Sequence, residues 1–204
     1  PPRMDRYIEK NLEIQHIFQN YAAPNDILPY SIDEGFIDLT SSLDYFIPDR
    51  MSEGYGLSMD TVSKIPEKGV SLVITVDCGV TAFDEIEYLS EKSIDAVITD
   101  HHECRPELPK ACAVVNPHRE DCTYPFKELA GVGVVYKLVQ ALCERLNKVG
   151  HHNKYLDLVA LGTVADVVNL TGENRIIVKY GIEKMSKTQN IGLNALINVS
   201  GIKD

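Results

Sequence analysis

Two apolar runs in the sequence end in residues that could hold a metal ion. The run 71–76 is followed by Asp77, and the run 94–99 is followed by Asp100-His101-His102. Carboxylates mixed with imidazoles suit Mn²⁺, Zn²⁺ or Fe²⁺ better than Mg²⁺ or Ca²⁺, which prefer oxygen ligands. Carboxylates can also bridge two metals, and such a pair suits attack of an activated water on phosphorus. The pattern therefore predicts a metal site suited to phosphoryl chemistry.

A third acid, Asp166, lies near the end of a predicted helix. Taken singly, the acids have ordinary alternative explanations. An Asp after a strand often caps the following helix or forms a turn, which applies to Asp77, and Asp166 could simply terminate its helix. The combination of a strand-end Asp with a strand-end Asp-His-His favours the metal site.

The elements that must position these residues alternate between strand and helix patterns. β-branched apolar runs over 71–76, 94–99 and 112–115 predict buried strands, the first of them buried on both faces. A helical pattern over 58–67 precedes the first strand, and a second one over 82–92 lies between the first two strands. This alternation predicts an α/β fold with a parallel sheet flanked by helices. Both acidic strand ends would then face one crevice at the carboxyl edge of the sheet.

The rest of the chain is mainly helical in pattern. Beyond residue 124, helical spacing of apolar residues predicts helices over 132–146, 155–165 and 173–185. Near the N-terminus the sequence predicts a helix over 4–21, a loop over 22–29 and a strand over 36–40. The C-terminal part is therefore expected to be helical.

Composition limits the possible partners. The 204 residues carry a net charge of −10, which argues against a surface that simply coats nucleic acid. It does not exclude a nuclease, since acids that bind divalent cations lower the formal charge. No apolar run is long enough for a membrane span, and the N-terminus lacks the pattern of a signal peptide, so a cytoplasmic protein is expected.

The triplet Asp100-His101-His102 is the motif that names the DHH phosphoesterases, and the sequence resembles that family from about residue 46 onward. The segments 76–81 and 162–168 are similar to the second and fourth motifs of the family. Four further segments are similar to RecJ-type exonucleases in particular. These segments are 47–50 with 54–57, 115–117 and 129–133.

The resemblance implies Mn²⁺-dependent hydrolysis of single-stranded DNA from its 5′ end, in DNA repair and recombination, with Mg²⁺ as an alternative metal. It implies that Asp77 bridges two metals and that His101 and Asp166 bind one of them. Asp100 would lie in or beside the ligand shell. His102 would contact the scissile phosphate or help protonate the leaving group.

Nucleic-acid contacts are implied at three further positions. Gly131 and Gly133 would let the backbone approach the nucleic acid closely. Arg50 would contact a phosphate, although a solvated Arg is an equal alternative.

The first motif of the family, an Asp-x-Asp-Gly segment after the first strand, is not found. Residues 30–40 instead resemble the palm motif of Y-family translesion DNA polymerases, in which Asp33 and Glu34 would match the Mg²⁺-binding pair. We interpret the chain as a fusion of a polymerase-like fragment, 1–45, with a partial DHH core, 46–204. Asp33 and Glu34 could stand in for the missing ligands, or they could be solvated or cap a turn.

Three functions remain open from the sequence. The first is the exonuclease activity that the resemblance implies. The second is a fragment that binds metal or nucleic acid without turnover, because the first motif is missing and the domain that closes over the substrate is expected to be absent. The third is hydrolysis of pyrophosphate or short oligonucleotides. The oligomeric state does not follow from the sequence.

Overall fold

The computed structural model describes residues 27–29, 35–37, 45–47 and 56–201. The chain divides into two compact units, Pro1–Ile47 and Pro48–Asp204. The interpretation of residues 1–45 as a polymerase-like fragment stays a prediction.

In the first unit, two short strands form an antiparallel pair. Strand β1 (Ile27–Pro29) pairs with β2 (Gly35–Ile37), and Leu28 lies opposite Phe36. The sequence predicted a loop over 22–29, so β1 corrects that prediction for its three residues. The predicted helix over 4–21 lies outside the described residues.

The second unit contains a parallel sheet of three strands, β3 (Leu72–Val76), β4 (Asp95–Thr99) and β5 (Ala113–Val115), in that order. Helix α2 (Phe83–Glu91) connects β3 to β4, and β3 pairs with β4 in parallel. The register places Val76 beside Thr99 and Thr99 beside Val115. The three strands therefore end level with one another, and the predicted parallel sheet flanked by helices is confirmed.

The core of this sheet lies between the strands and helices α1 (Met59–Val62) and α2. Its largest fully buried side chains include Ile86 and Leu89 of α2, Ile98 of β4, and Val62. Burial of such side chains is the main source of stability for a small sheet of this kind.

The prediction that β3 is buried on both faces is wrong. Leu72, Ile74 and Val76 are about half exposed, at 48%, 54% and 53%, whereas Thr75 on the opposite face is buried. Strand β3 lies at the edge of the described sheet, and helices cover only one of its faces in that part of the chain. A continuous apolar run does not report how many faces have neighbours.

The helix predicted over 58–67 is shorter than expected. Helix α1 spans Met59–Val62, begins at an N-cap in which the Ser58 side chain accepts from the Thr61 amide, and is followed by a separate 3-10 turn, Pro66–Lys68. Proline lacks an amide hydrogen and clashes with the preceding turn, so the helix ends before Pro66.

The C-terminal part is helical, as predicted. It contains α3 (Gly131–Arg145), α4 (Leu156–Ala165), α5 (Gly172–Met185) and α6 (Ile191–Ser200). Helices α4 and α5 pack closely because Gly181 lets their backbones approach: a Cβ there would overlap that of Ala160 and lie 2.6 Å from the Leu156 carbonyl oxygen. Helix α6 was not predicted. In the described residues, every helix is too short or too polar to cross a membrane.

Candidate metal centre

Asp77 sits in a tight turn at the carboxyl end of β3. Its amide donates to the Thr99 carbonyl at 2.9 Å, so the ladder with β4 continues to this residue before the chain turns. The backbone then adopts a positive φ of 62°, which Asp tolerates better than most residues. The Thr75 hydroxyl closes the turn by donating to the Cys78 carbonyl at 2.7 Å. The side chain of Asp77 is thereby presented at the edge of the sheet.

Asp100 is buried at the end of β4, with 1% of its surface exposed. One oxygen accepts from the Val80 amide at 2.9 Å, and the other accepts from the His101 amide at 2.8 Å and from His102 Nδ1 at 2.6 Å. Burial opposes the charge, but the hydrogen bonds from Val80 and His102 outweigh it and hold the pKa of the Asp100 carboxyl below its usual range. Both carboxylate oxygens therefore hold neighbouring segments in place, one at Val80 and the other at His101 and His102.

The ring of His101 is oriented by a backbone carbonyl. Its Nδ1 lies 3.1 Å from the carbonyl oxygen of Leu129, which can only accept, so Nδ1 carries the proton. In the neutral ring, Nε2 then presents a lone pair to the opposite side. This tautomer is the one that leaves Nε2 available to bind a metal.

Two carboxylates converge on that nitrogen. His101 Nε2 lies 3.2 Å from Asp77 Oδ1 and 3.5 Å from Asp166 Oδ2, although Asp77, His101 and Asp166 follow β3, β4 and α4 respectively. His102 adds a further ligand atom, since the ligand atoms of Asp77, His101 and His102 all lie within 4.8 Å of one another. We call these four residues the Asp–His cluster.

The donor set of the Asp–His cluster fits a divalent cation. With Nδ1 protonated toward Leu129, neutral His101 would face Asp77 and Asp166 with a lone pair, and three acceptors would meet without a hydrogen between them. A cation in this position relieves the repulsion, either as a proton on Nε2 or as a metal. The hydrogen bond to Asp77 raises the pKa of His101 above its ordinary value, against the effect of burial, so the carboxylates favour positive charge at this ring.

His102 is held in the complementary way. The ionised Asp100 accepts from its Nδ1, so Nε2 points away from Asp100, and the side chain is 43% exposed. The backbone carbonyl of His102 accepts from Asn116 Nδ2 at 2.9 Å, which ties the loop to the end of β5. The half-exposed ring of His102 can therefore exchange a proton with a molecule bound at the cluster.

Gly131 lies directly against Asp77. A Cβ on Gly131 would overlap the carboxylate, at 2.5 Å from Asp77 Cγ, whereas a Cβ on Gly133 would meet the Leu129 side chain at 3.2 Å. Gly131 is also the first residue of α3, whose N-terminus has no side-chain cap. The positive end of the helix dipole therefore faces the carboxylate of Asp77. The nucleic-acid contacts expected at both glycines stay predictions.

The structure thus brings together Asp77, His101, His102 and Asp166. Asp100 does not join them but accepts the hydrogen bond from Nδ1 that orients His102. Arg50, Asp33 and Glu34 lie outside the described residues. Leu129 entered the sequence analysis only as part of the segment 129–133 noted for its resemblance. Its role was missed because it acts through its backbone carbonyl, which residue type does not report. Asn116 lies in the segment 115–117, which was noted only for its resemblance, although its position directly after β5 was a usable signal.

Comparison with known proteins agrees with this architecture. Residues 16–163 match the DHH family, N-terminal domain, so the match also includes residues before 46. The chain belongs to the DHH family.

Among its relatives, the chain is similar to the single-stranded-DNA-specific exonuclease RecJ. It is 48% identical over 163 residues to the Bacillus subtilis protein, covering 80% of this chain and 20% of that protein. It is 39% identical over 171 residues to the Escherichia coli protein, covering 78% and 30% respectively. The chain therefore spans less than a third of these curated relatives.

Solved structures show the same similarity. A crystal structure of exonuclease RecJ bound to manganese superposes with a TM-score of 0.69 at 38% identity, covering 78% of this chain and 40% of that one. RecJ from Thermus thermophilus in complex with Mn²⁺ gives a TM-score of 0.61 at 34% identity, covering 70% of this chain and 22% of that one.

Proposed function

We propose that this chain is the catalytic DHH portion of a manganese-dependent exonuclease of RecJ type, specific for single-stranded DNA and acting from the 5′ end. One observation carries the proposal: Asp77 and Asp166 converge on the Nε2 of His101, whose tautomer the Leu129 carbonyl fixes. Relatives that share 38% and 34% of aligned residues were solved with manganese bound.

In this proposal Asp77, His101 and Asp166 hold the metal. A mixed oxygen and nitrogen donor set suits Mn²⁺. When bound, the metal supplies an activated water and charge compensation for the phosphoryl oxygens. By the resemblance to the DHH phosphoesterases, Asp77 would be the carboxylate shared between two ions.

Asp100, His102 and the N-terminus of α3 would position the substrate and move a proton. Asp100 accepts the Nδ1 hydrogen of His102, so Nε2 points away from Asp100. When the ring carries a second proton on Nε2, that N–H can donate to a phosphate oxygen or pass its proton to the leaving oxygen, and the Asp100 carboxylate balances the charge of the ring. The Asp100 carboxylate lies 2.6 Å from His102 Nδ1 and so also fixes the orientation of the His102 ring. The uncapped N-terminus of α3 favours an anion beside the cluster.

Incubation with Mn²⁺ and a 5′-labelled oligonucleotide tests the proposal. Release of labelled mononucleotide is expected from single strands and not from a blunt duplex. His101→Ala should reduce the rate by about 10²-fold or more, since a metal ligand and its charge balance are lost. The matched control His151→Ala changes an exposed histidine of the 3-10 turn His151–Tyr155 and should leave the rate unchanged. No release at any Mn²⁺ concentration would refute activity of this chain.

A second candidate is a DHH core that binds metal without turnover. The observation in its favour is that the first Asp-x-Asp-Gly motif is not found in the sequence. Calorimetry with Mn²⁺ separates the two: two tight sites favour the exonuclease, whereas one weak site favours the inactive core. Hydrolysis of pyrophosphate or short oligonucleotides by the same cluster would appear in a substrate panel, and the similarity to RecJ favours long single strands instead.

A further inference from the structure

One buried side chain, Asn174, holds two backbone segments that flank the Asp–His cluster. It is the third residue of α5 and has 0% of its surface exposed. Its Nδ2 donates to the Glu128 carbonyl at 2.5 Å and to the Asn169 carbonyl at 3.0 Å. Carbonyl oxygens only accept, so these two partners fix the orientation of the amide. Burying an amide costs free energy unless it is hydrogen-bonded, so both contacts matter.

The first of the two segments, residues 128–131, contacts His101 and Asp77, which follow β4 and β3. Within it the Leu129 carbonyl accepts from His101 Nδ1 at 3.1 Å. Two residues later, Gly131 lies against the Asp77 carboxylate. A shift of this segment would therefore change both the orientation of the His101 ring and the position that the Asp77 side chain can take.

The second segment, residues 166–169, carries the remaining acid. Asp166 approaches His101 Nε2 at 3.5 Å, and the chain turns at Val167 before reaching Asn169. The side chain of Asn169 adds a second tie, because its Nδ2 donates to Glu128 Oε2 at 2.9 Å. The same two segments are thus joined twice, once in the interior and once at the surface.

Asn174 is part of helix α5, whose position is fixed by its packing. This helix packs closely against α4, where Gly181 leaves no room for a side chain beside Ala160. Asp166 follows directly after the last residue of α4. The amide of Asn174 is therefore anchored to the same helix pair that presents Asp166.

We propose that Asn174 is a positioning residue that sets the separation between His101 and Asp166 by holding both segments. It acts through Glu128 and Asn169 and does not itself contact a metal or substrate. The proposal deepens the proposed metal centre and rests on that function for its consequence in binding.

Two substitutions test it. Asn174→Leu keeps a similar volume without donors, and Asn174→Asp keeps the shape but replaces the donor with an acceptor. The matched control is Thr188→Val, which removes the hydrogen bond of 2.6 Å from Thr188 to the buried Asp157, outside the cluster. Imidazole ¹⁵N NMR of His101 in the metal-free protein and Mn²⁺ calorimetry are recorded at a temperature at which all variants are folded by circular dichroism.

The expected result is a shift of the His101 ring signals and a fall in Mn²⁺ affinity of about tenfold or more in both Asn174 variants, as for other groups that orient metal ligands. Thr188→Val should match the parent in both readouts. Unchanged His101 signals and affinity in the Asn174 variants would overturn the proposal, and so would an equal fall in the control.

Two situations need separate readouts. If the parent binds no Mn²⁺, the metal centre fails, and the metal-free His101 signals alone decide the role of Asn174: a shift supports it and no shift overturns it. If the Asn174 variants do not fold, Asn169→Ala replaces them, since it removes only the surface tie to Glu128. A shift of the His101 ring signals away from those of the parent then supports the proposal, and parent-like signals overturn it.

Discussion

Gly131 and Asp77 share a space that has no room for another carbon atom. The glycine begins α3 and the acid follows β3, yet a Cβ on Gly131 would lie 2.5 Å from Asp77 Cγ. A residue that the sequence suggested for contact with nucleic acid therefore fixes the position of a candidate metal ligand.

Replacing Gly131 by Ala should damage metal binding. Either Asp77 or the start of α3 must move, and we expect the Mn²⁺ affinity measured by calorimetry to fall by about tenfold or more. Gly133→Ala is the control in the same helix, because its new Cβ comes no closer than 3.2 Å to the Leu129 side chain, at Cδ2, and lies within 4 Å of Leu129 alone. That variant should stay within about threefold of the parent. Parent-like affinity in Gly131→Ala would contradict the packing described for Asp77.

Val167 carries backbone strain beside Asp166. Its φ is 62°, in the left-handed region that β-branched residues avoid, and its side chain is 86% exposed. Val167→Asn should therefore raise the free energy of unfolding by about 0.5–1 kcal/mol, because Asn tolerates this conformation and little packing is lost. Urea denaturation of the metal-free protein measures the change. A lower stability in this variant would contradict the strain at this turn.

The stability of the helical part should depend on pH through Glu173. Burial disfavours its charge, but hydrogen bonds from Lys137 and Tyr124 outweigh burial and lower the pKa of Glu173. A carboxyl with a lowered folded-state pKa stabilises the fold above its unfolded value of about 4.3, and the stabilisation is lost as pH falls through the folded-state pKa.

Glu173→Gln tests this directly. The variant should be less stable than the parent by about 1 kcal/mol at pH 7, and the difference should shrink below about pH 4. Lys179→Gln, a change at an exposed residue of the same helix, is the control and should show no such trend. A difference that is constant from pH 7 to pH 3 would show that the charge of Glu173 contributes nothing.

The sequence predicted the sheet and the meeting of Asp77 with Asp100-His101-His102 because both features follow from local patterns. Apolar runs locate strands, and parallel strands end at one edge. It also predicted Asp166 as a partner, although only the resemblance to the DHH phosphoesterases carried that step.

Other features depend on contacts between distant segments, which local patterns do not report. The hydrogen bond from His101 to the Leu129 carbonyl involves backbone, so any residue type at 129 could make it. The exposed face of β3 depends on what neighbours the strand has. The buried amide of Asn174 reads in sequence as an ordinary polar residue near a helix start.

The most direct test of the metal centre is a crystal of this chain grown or soaked with Mn²⁺ and measured for anomalous scattering. We expect an anomalous peak within bonding distance of His101 Nε2 and of the carboxylates of Asp77 and Asp166, and no such peak in His101→Ala. A peak elsewhere, or an empty Asp–His cluster at a Mn²⁺ concentration that supports DNA cleavage, would contradict it.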